Sequence, residues 1–193
     1  MRMSYFGDSY DIVKQSLLRW LRDFGDWSVH PMFTEPVAPE EVAAFANFLD
    51  ASVASTDVLT PDTKRSSYFL CVESCGNLFL DPNTGLRLRS TRSRRAPEFL
   101  FATELMGFVR QRPDALTLVF DQSVGRGSER LHAEEKLHYL RQLEVFSFAY
   151  VSHACFVVAG QDRSLVDHAT RRVISESKLP NERLLHVGVC GAS

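Results

Sequence analysis

The feature that most constrains this sequence is its alternation of helix-like segments with short apolar runs. Apolar residues recur at helical spacing from Ile12 to Phe24, between a cap at Asp8 or Ser9 and a stop at Gly25. Similar signals predict helices over residues 39–49, 97–110, 128–143 and 164–178. Strands are predicted over residues 27–33, 68–72, 77–80, 115–120, 145–159 and 184–189, with the segment 145–159 bent or paired on itself around Ser152 and His153. This alternation indicates a Rossmann-like α/β fold with a mostly parallel sheet, helices on both faces and an antiparallel edge.

Size and composition narrow the class of protein further. The chain of 193 residues, 45% of them hydrophobic, suits one α/β domain over residues 1–193, with a polar surface loop at 52–66 and an arginine-rich segment at 86–95. A net charge of -2 excludes a globally basic protein. No stretch approaches the roughly 18 to 20 apolar residues of a membrane span. Free thiols and a cytoplasmic location are expected, because disulfide or zinc-ribbon spacing is lacking among Cys71, Cys75, Cys155 and Cys190.

Two aspartates directly follow apolar strands. Asp81 comes after Leu78-Phe79-Leu80, and Asp121 comes after Leu118-Val119-Phe120. Ligands of such sheets bind outside the carboxyl ends of the strands, so the two side chains are expected to converge there, with Asp8 nearby. Converging carboxylates suit Mg²⁺ or Mn²⁺, which makes Asp8, Asp81 and Asp121 the candidate metal ligands. The alternative is that these residues only cap helices and turns.

Three further residues are candidates for proton transfer or charge stabilisation. Asp11 and Lys14 are three apart and therefore share one face of the first helix. His153 lies in an apolar strand, where a hydrogen-bonded core histidine is the main alternative to a catalytic one. Serine hydrolysis is excluded, because adjacent Ser152 and His153 point to opposite faces of a strand and no G-x-S-x-G motif is present.

The arginine-rich segment is the local basic patch of the sequence. It contains five arginines close to Asp81: Arg87, Arg89, Arg92, Arg94 and Arg95. Guanidinium groups bind phosphates bidentately, so these residues, with Asn83, are the candidate substrate-binding residues for nucleic acid or a nucleotide. The alternative is a solvated loop.

Two patches resemble RlmJ-type ribosomal-RNA adenine methyltransferases. Gly7-Asp8-Ser9-Tyr10-Asp11-Ile12-Val13-Lys14 looks like the start of that family, and Leu78-Phe79-Leu80-Asp81-Pro82 is similar to the strand that carries its Asp-Pro-Pro-Tyr motif. The resemblance implies a Rossmann-like methyltransferase fold in which Asp81 receives the amino group of the target base. Asn83 and Thr84 replace the second proline and the aromatic residue, and Thr34-Glu35-Pro36 stands where a glycine-rich cofactor loop is expected.

The sequence therefore supports three hypotheses. The first is an enzyme that cleaves a phosphoester of nucleic acid or a nucleotide with Mg²⁺ or Mn²⁺, using Asp81, Asp121, Asp11, Lys14 and His153. The second is an S-adenosylmethionine-dependent methyltransferase with an altered cofactor loop. The third is a non-catalytic binding or regulatory module that uses the arginines for a partner.

Overall fold

The computed structural model describes residues 6–70, 72, 76–125 and 127–186. Its helices are α1 (Ser9–Trp20), α2 (Pro39–Leu49), α3 (Arg65–Leu70), α4 (Ala102–Gln111), α5 (Glu129–Gln142) and α6 (Arg163–Ser177). Its strands are β1 (Trp27–His30), β2 (Ser52–Val53), β3 (Asn77–Leu80), β4 (Gly85–Arg87), β5 (Phe99–Phe101), β6 (Thr117–Asp121), β7 (Phe146–Val151), β8 (Cys155–Gly160) and β9 (Leu184–His186). Short 3-10 turns occupy Arg22–Phe24, Ala96–Glu98 and Asn181–Arg183.

In the described residues, seven strands form one central sheet in the order β2-β1-β3-β6-β8-β7-β9. The first four are parallel, and β8, β7 and β9 add antiparallel pairings. After β2 the chain returns to the other side of β1, so the strand order reverses between β1 and β3. Such a switch point opens a crevice at the carboxyl ends of the strands.

Helices cover both faces of this sheet and divide the core into two layers. Side chains of α1, α2 and α6 pack with Phe79, Leu118 and Phe120 on one face. Side chains of α3, α4 and α5 pack with Leu80 and Val119 on the other. Alternate residues of a strand point to opposite faces, so neighbouring strand residues enter different layers. The predicted Rossmann-like α/β class is confirmed.

The prediction of a strand over 68–72 is wrong, because residues 68–70 belong to the helix α3. Tyr68 packs 5.2 Å from the His30 ring and Phe69 packs 5.3 Å from Phe108, measured between ring centroids. Arg65, at the start of α3, binds the Glu104 carboxylate at 2.6 and 2.8 Å. These long-range contacts override the β-propensity of the aromatic run.

Other boundaries also differ from the sequence prediction. Ser52 and Val53, placed in the polar loop, pair with β1 as β2. The predicted helix 97–110 contains β5 before α4 begins at Ala102, and β5 pairs with β4 in a separate two-stranded ribbon. The predicted pairing of 145–159 on itself is confirmed as the β7–β8 hairpin. The last predicted strand is described only as far as His186.

Two observations bear on the remaining sequence predictions. No helix in the described part of the chain has the length and apolar character needed to cross a membrane. Cys155 is a buried free thiol, and its burial raises the pKa of that thiol. Cys71, Cys75 and Cys190 lie outside the described residues.

Candidate functional site

A cavity of about 740 Å³ opens at the carboxyl ends of β3 and β6, beside the start of α1. The start of α1 supplies Asp8, Tyr10, Asp11 and Lys14 to its wall, and the turn after β3 supplies Asp81, Pro82, Asn83 and Thr84. The rest of the lining comes from Arg95, Glu98, Phe120, Gln122 and His153. The cavity lies where a fold of this class binds ligands.

A groove of about 970 Å³ lies at the opposite ends of the strands, beside the amino ends of β1 and β2. The charged residues in its lining, Arg19, Arg22, Asp26 and Asp50, are all exposed. The cavity at the carboxyl ends differs because buried charges form part of its wall. Charges kept out of water at a cavity wall are a stronger sign of a site than solvated ones.

The start of α1 is built to fix its acidic residues. Asp8 caps the helix by accepting hydrogen bonds from the backbone N–H groups of Tyr10 at 2.8 Å and Asp11 at 3.1 Å. Asp11 in turn accepts a hydrogen bond of 2.8 Å from the backbone N–H of Gly7. Local capping therefore holds the first turn of α1 against the cavity and aims Asp11 toward Lys14.

Asp11, Lys14 and Asp81 form a buried ionic group, which we call the pocket cluster. Lys14 Nζ donates to Asp11 Oδ1 at 2.8 Å and to Asp81 Oδ2 at 2.9 Å. Each of the three residues is less than 5% exposed. Lys14 Nζ also lies 4.4 Å from the centre of the Phe120 ring. One ammonium thus serves two carboxylates, which leaves a net charge of -1 when all three groups are ionised.

The shifted pKa values agree with this charge imbalance. Burial would lower the pKa of Lys14, but the Asp81 and Asp11 carboxylates outweigh it and hold that pKa above its ordinary value. Lys14 therefore stays charged at neutral pH. Burial raises the pKa of Asp81 although Lys14 opposes the shift. The excess negative charge makes Asp81 receptive to a proton or to a hydrogen-bond donor on a ligand.

Asp121 belongs to a second buried group, on the other face of the sheet. This group consists of Asp121, Ser123 and Lys136, and we call it the clasp. Lys136 Nζ lies 2.6 Å from Asp121 Oδ2. Asp121 Oδ1 accepts hydrogen bonds from the backbone N–H groups of Leu86 at 3.0 Å and Ser123 at 2.9 Å. The Ser123 hydroxyl is 2.6 Å from the same oxygen. The expected convergence of Asp81 and Asp121 is therefore wrong, and Asp121 is not in the cavity lining.

Strand register explains why the two aspartates separate. Leu80 of β3 pairs with Val119 of β6, so the residue level with Asp81 is Phe120. Asp121 lies one position further along, and successive side chains of a strand point to opposite faces. Asp81 consequently faces α1 and Asp121 faces α5.

The clasp holds the β4–β5 ribbon against the central sheet. Gly85, at the start of β4, has a φ of +137°, and a Cβ at this position would overlap Asp121 Oδ1. Only glycine allows the backbone to approach the carboxylate closely enough for the Leu86 hydrogen bond. The position of Asp121 thus has a structural explanation that involves no ligand.

The remaining predicted residues are divided between the cavity and the surface. His153 is exposed in the turn between β7 and β8 and lines the cavity, so the interpretation as a core histidine is wrong. Asn83 lines the cavity, and its Nδ2 donates to Thr34 Oγ1 at 3.0 Å. Arg95 lies at the cavity rim. Arg87, Arg89, Arg92 and Arg94 are exposed and lie outside the lining.

Sequence reasoning missed the aromatic part of the wall. The rings of Tyr10 and Phe120 lie 5.6 Å apart at an angle of 55°. Gln122, exposed after β6, and Glu98 complete the polar part of the lining. Tyr10 directly precedes Asp11 and Phe120 directly precedes Asp121, so the aromatic neighbours of these two candidate acids were the available signal.

The cavity does not fit a divalent metal held by the predicted ligands. Within residues 6–70, 72, 76–125 and 127–186, no group of three or more His, Cys, Asp and Glu side chains is arranged to hold a metal ion. Lys14 occupies the position between Asp11 and Asp81 that a cation would need, and Asp121 is on the other face. Asp8 is engaged in capping α1.

The segment after β1 does not fit the backbone approach of S-adenosylmethionine. It contains no glycine from His30 to Val37, and the side chains of His30, Met32 and Phe33 are at most 1% exposed. The backbone N–H of Met32 donates to His30 Nδ1 at 3.2 Å. Buried side chains therefore fill the place where a glycine-rich loop admits a cofactor.

Fold and site together define a Rossmann-like α/β protein with a charged cavity at the carboxyl ends of its parallel strands. No protein-family model, no curated protein and no solved structure matches this chain.

Proposed function

We propose that this protein is an enzyme acting on nucleic acid or a nucleotide, and that the cavity binds a base bearing an exocyclic amino group. The observation that carries the proposal is the pocket cluster, in which two buried carboxylates share the Lys14 ammonium. Asp11 also accepts a hydrogen bond from the Gly7 backbone, so Asp81 is the carboxylate to which an amino group of a ligand would bring further hydrogen-bond donors. Hydrogen bonds to an ionised acceptor are about twice as strong as neutral ones.

The size and lining of the cavity support a base as the ligand. Its volume of about 740 Å³ lies within the range of small-molecule sites. Tyr10, half-buried against Phe120, gives it an aromatic side chain on which a planar ring can pack, while Asp81 and Asn83 supply hydrogen-bonding groups. Arg95, at the rim, is placed to meet a phosphate.

The chemistry that this arrangement supplies is activation of an amino nitrogen. A carboxylate that accepts an N–H hydrogen bond increases electron density on the nitrogen and can receive its proton as a new bond forms. Lys14 would hold Asp81 in position for that role. Group transfer to the amino nitrogen, including the methyl transfer implied by the resemblance at Asp81-Pro82, is therefore the reaction class favoured. The nitrogen would form its bond to the transferred group of an electrophilic donor as the bond between that group and its leaving group breaks, and Asp81 would receive the proton. The segment after β1 does not fit S-adenosylmethionine as that donor.

Metal-assisted phosphoester cleavage remains the second candidate. It is supported by the presence of Asp8, Asp11 and Asp81 in one cavity. It requires Lys14 to leave the carboxylates so that Mg²⁺ or Mn²⁺ can take its place. Since the ammonium is buried and doubly paired, this exchange is costly.

The test compares two ligands that differ at one group. Calorimetry with adenosine monophosphate and inosine monophosphate should show at least about tenfold tighter binding of adenosine monophosphate, which bears the amino group. This is a difference of about 1.4 kcal/mol in binding free energy. Inosine presents a carbonyl oxygen to the carboxylate instead of a donor. Asp81→Asn should abolish the preference, because an amide offers both a donor and an acceptor.

Asp114→Asn provides the matched control for this experiment. Asp114 is exposed near the amino end of β6, away from the cavity, so the preference should survive this change. Equal affinity of the parent protein for the two ligands, or no binding of either, would refute the assignment of Asp81 to an amino group.

A further inference from the structure

The arginine segment carries the strongest local positive charge in the chain. Five arginines and no acidic residue occur between Asp81 and Glu98, in a protein whose net charge is -2. All five arginines are exposed. A basic segment of this kind next to a cavity is the electrostatic footprint of a polyanion site.

Two of the five arginines are held in place by the ribbon. The Arg87 guanidinium lies 3.8 Å from the centre of the Phe99 ring. Arg95 donates to Glu98 Oε2 at 2.8 Å. Arg89, Arg92 and Arg94 have no ion pair or hydrogen bond to any residue in the described part of the chain. Their guanidinium groups are therefore available to bind phosphate oxygens.

The residues that flank the arginine segment on both sides line the cavity. The Thr84 backbone N–H donates to Glu98 O at 2.8 Å, so the chain leaves the cavity after Thr84 and lines it again at Arg95 and Glu98. The clasp fixes one end through Leu86, and Arg65 fixes the other by donating to Ala96 O at 3.2 Å and Phe99 O at 2.8 Å. The unpaired arginines are thus presented beside the cavity from an anchored base.

We propose that the substrate is a single-stranded polynucleotide, with one base in the cavity and the flanking phosphates along Arg89, Arg92 and Arg94. The proposal rests on the function proposed above and specifies its substrate. A mononucleotide brings phosphate to one point of the rim, close to Arg95, and leaves the other arginines without a ligand. A duplex hides the amino groups of its bases in pairing, so the target base must be unpaired to reach Asp81.

The experiment measures binding of deoxyadenosine monophosphate and of a single-stranded oligodeoxyadenylate of about nine nucleotides, a length within the range of single-strand sites. The oligonucleotide should bind at least about tenfold more tightly. Its affinity should fall with salt, because each neutralised phosphate releases counterions, with a slope of about 0.7 per contact for single strands.

The double variant Arg92→Gln/Arg94→Gln should lower the slope by about 1.4, since two contacts are lost. From about 50 to about 200 mM salt, the parent should then lose about sevenfold more affinity than the variant. Arg19→Gln/Arg171→Gln removes the same charge from exposed positions on α1 and α6 and should leave the slope unchanged. Binding of the mononucleotide should be unaffected by either pair.

Three results would overturn this proposal while leaving the proposed function intact. The first is equal affinity for the mononucleotide and the oligonucleotide. The second is an equal salt dependence of oligonucleotide binding in the two double variants. The third is that the oligonucleotide paired with its complementary strand binds as tightly as the single strand. Failure of the proposed function gives a different result, in which Asp81→Asn leaves mononucleotide binding unchanged. In that case the single-stranded polynucleotide is not assigned to this cavity either.

Discussion

The pocket cluster and the clasp use the same elements in different proportions. In each, an aspartate at the carboxyl end of a strand pairs with a buried lysine, at 2.9 Å for Asp81 and 2.6 Å for Asp121. The clasp has one carboxylate for one ammonium, and further donors satisfy Asp121 Oδ1. The pocket cluster has two carboxylates for one ammonium and borders a cavity. Charge balance and an open side therefore distinguish a candidate site from a structural ion pair.

The largest effect is expected from Asp121→Ala. This change leaves the buried Lys136 ammonium without a carboxylate, with only the Ser123 hydroxyl at 2.8 Å, and should lower the free energy of unfolding by about 3–5 kcal/mol. Asp81→Ala leaves Lys14 paired with Asp11 and should cost only about 1–2 kcal/mol. Urea unfolding followed by tryptophan fluorescence measures both. Equal losses would show that the two groups do not differ in their structural role.

Gly85→Ala tests the contact between strand β4 and the clasp. The new Cβ overlaps the Asp121 carboxylate and the φ of +137° is unfavourable for alanine, so a loss of about 2–3 kcal/mol is expected. Gly107→Ala is the matched control, because a Cβ there meets open space within α4. It should stabilise the protein by about 0.5–1 kcal/mol. A neutral Gly85→Ala would contradict the close approach of β4 to Asp121.

Lys14→Met should turn the pocket cluster into a cation site. Without the ammonium, Asp11 and Asp81 repel each other, and Mg²⁺ should stabilise the variant by about 1.4 kcal/mol at ten times its dissociation constant. Thermal shift measures the effect. Lys136→Met should not respond, since Asp121 is a single carboxylate. An Asp81-dependent rise in the melting temperature of the parent protein with Mg²⁺ would instead favour the metal-assisted hypothesis.

The smallest effect is expected in the pH dependence of stability. The pKa of Asp81 is raised above its ordinary value of 3.8, so the folded state binds a proton more readily than the unfolded state. Between the unfolded and folded pKa values, the stability of the parent protein relative to Asp81→Asn should therefore fall as pH rises. Urea unfolding of both proteins across this range gives the difference. If the stability of the parent protein relative to Asp81→Asn instead rose with pH, Lys14 would dominate the titration of Asp81.

The sequence indicated much of the fold and part of the candidate site. The apolar runs before Asp81 and Asp121 were recognisable because a buried parallel strand is continuously hydrophobic. The helical spacing of Asp11 and Lys14 correctly placed both on one face, since the i,i+3 relation is local. The segment at 68–72 was misread because its helical form depends on His30, Phe108 and Glu104, which are distant in sequence.

By itself, then, the sequence determined an α/β protein whose two strand-end aspartates lie at the ligand-binding edge of a sheet. Only the tertiary structure decided that they serve different groups. The reason is register: Leu80 pairs with Val119, so Asp81 and Asp121 are offset by one residue. A one-residue offset reverses the face to which a side chain points. No local pattern encodes this register, because the paired residues, from Leu78 with Thr117 to Leu80 with Val119, are 39 positions apart in the sequence.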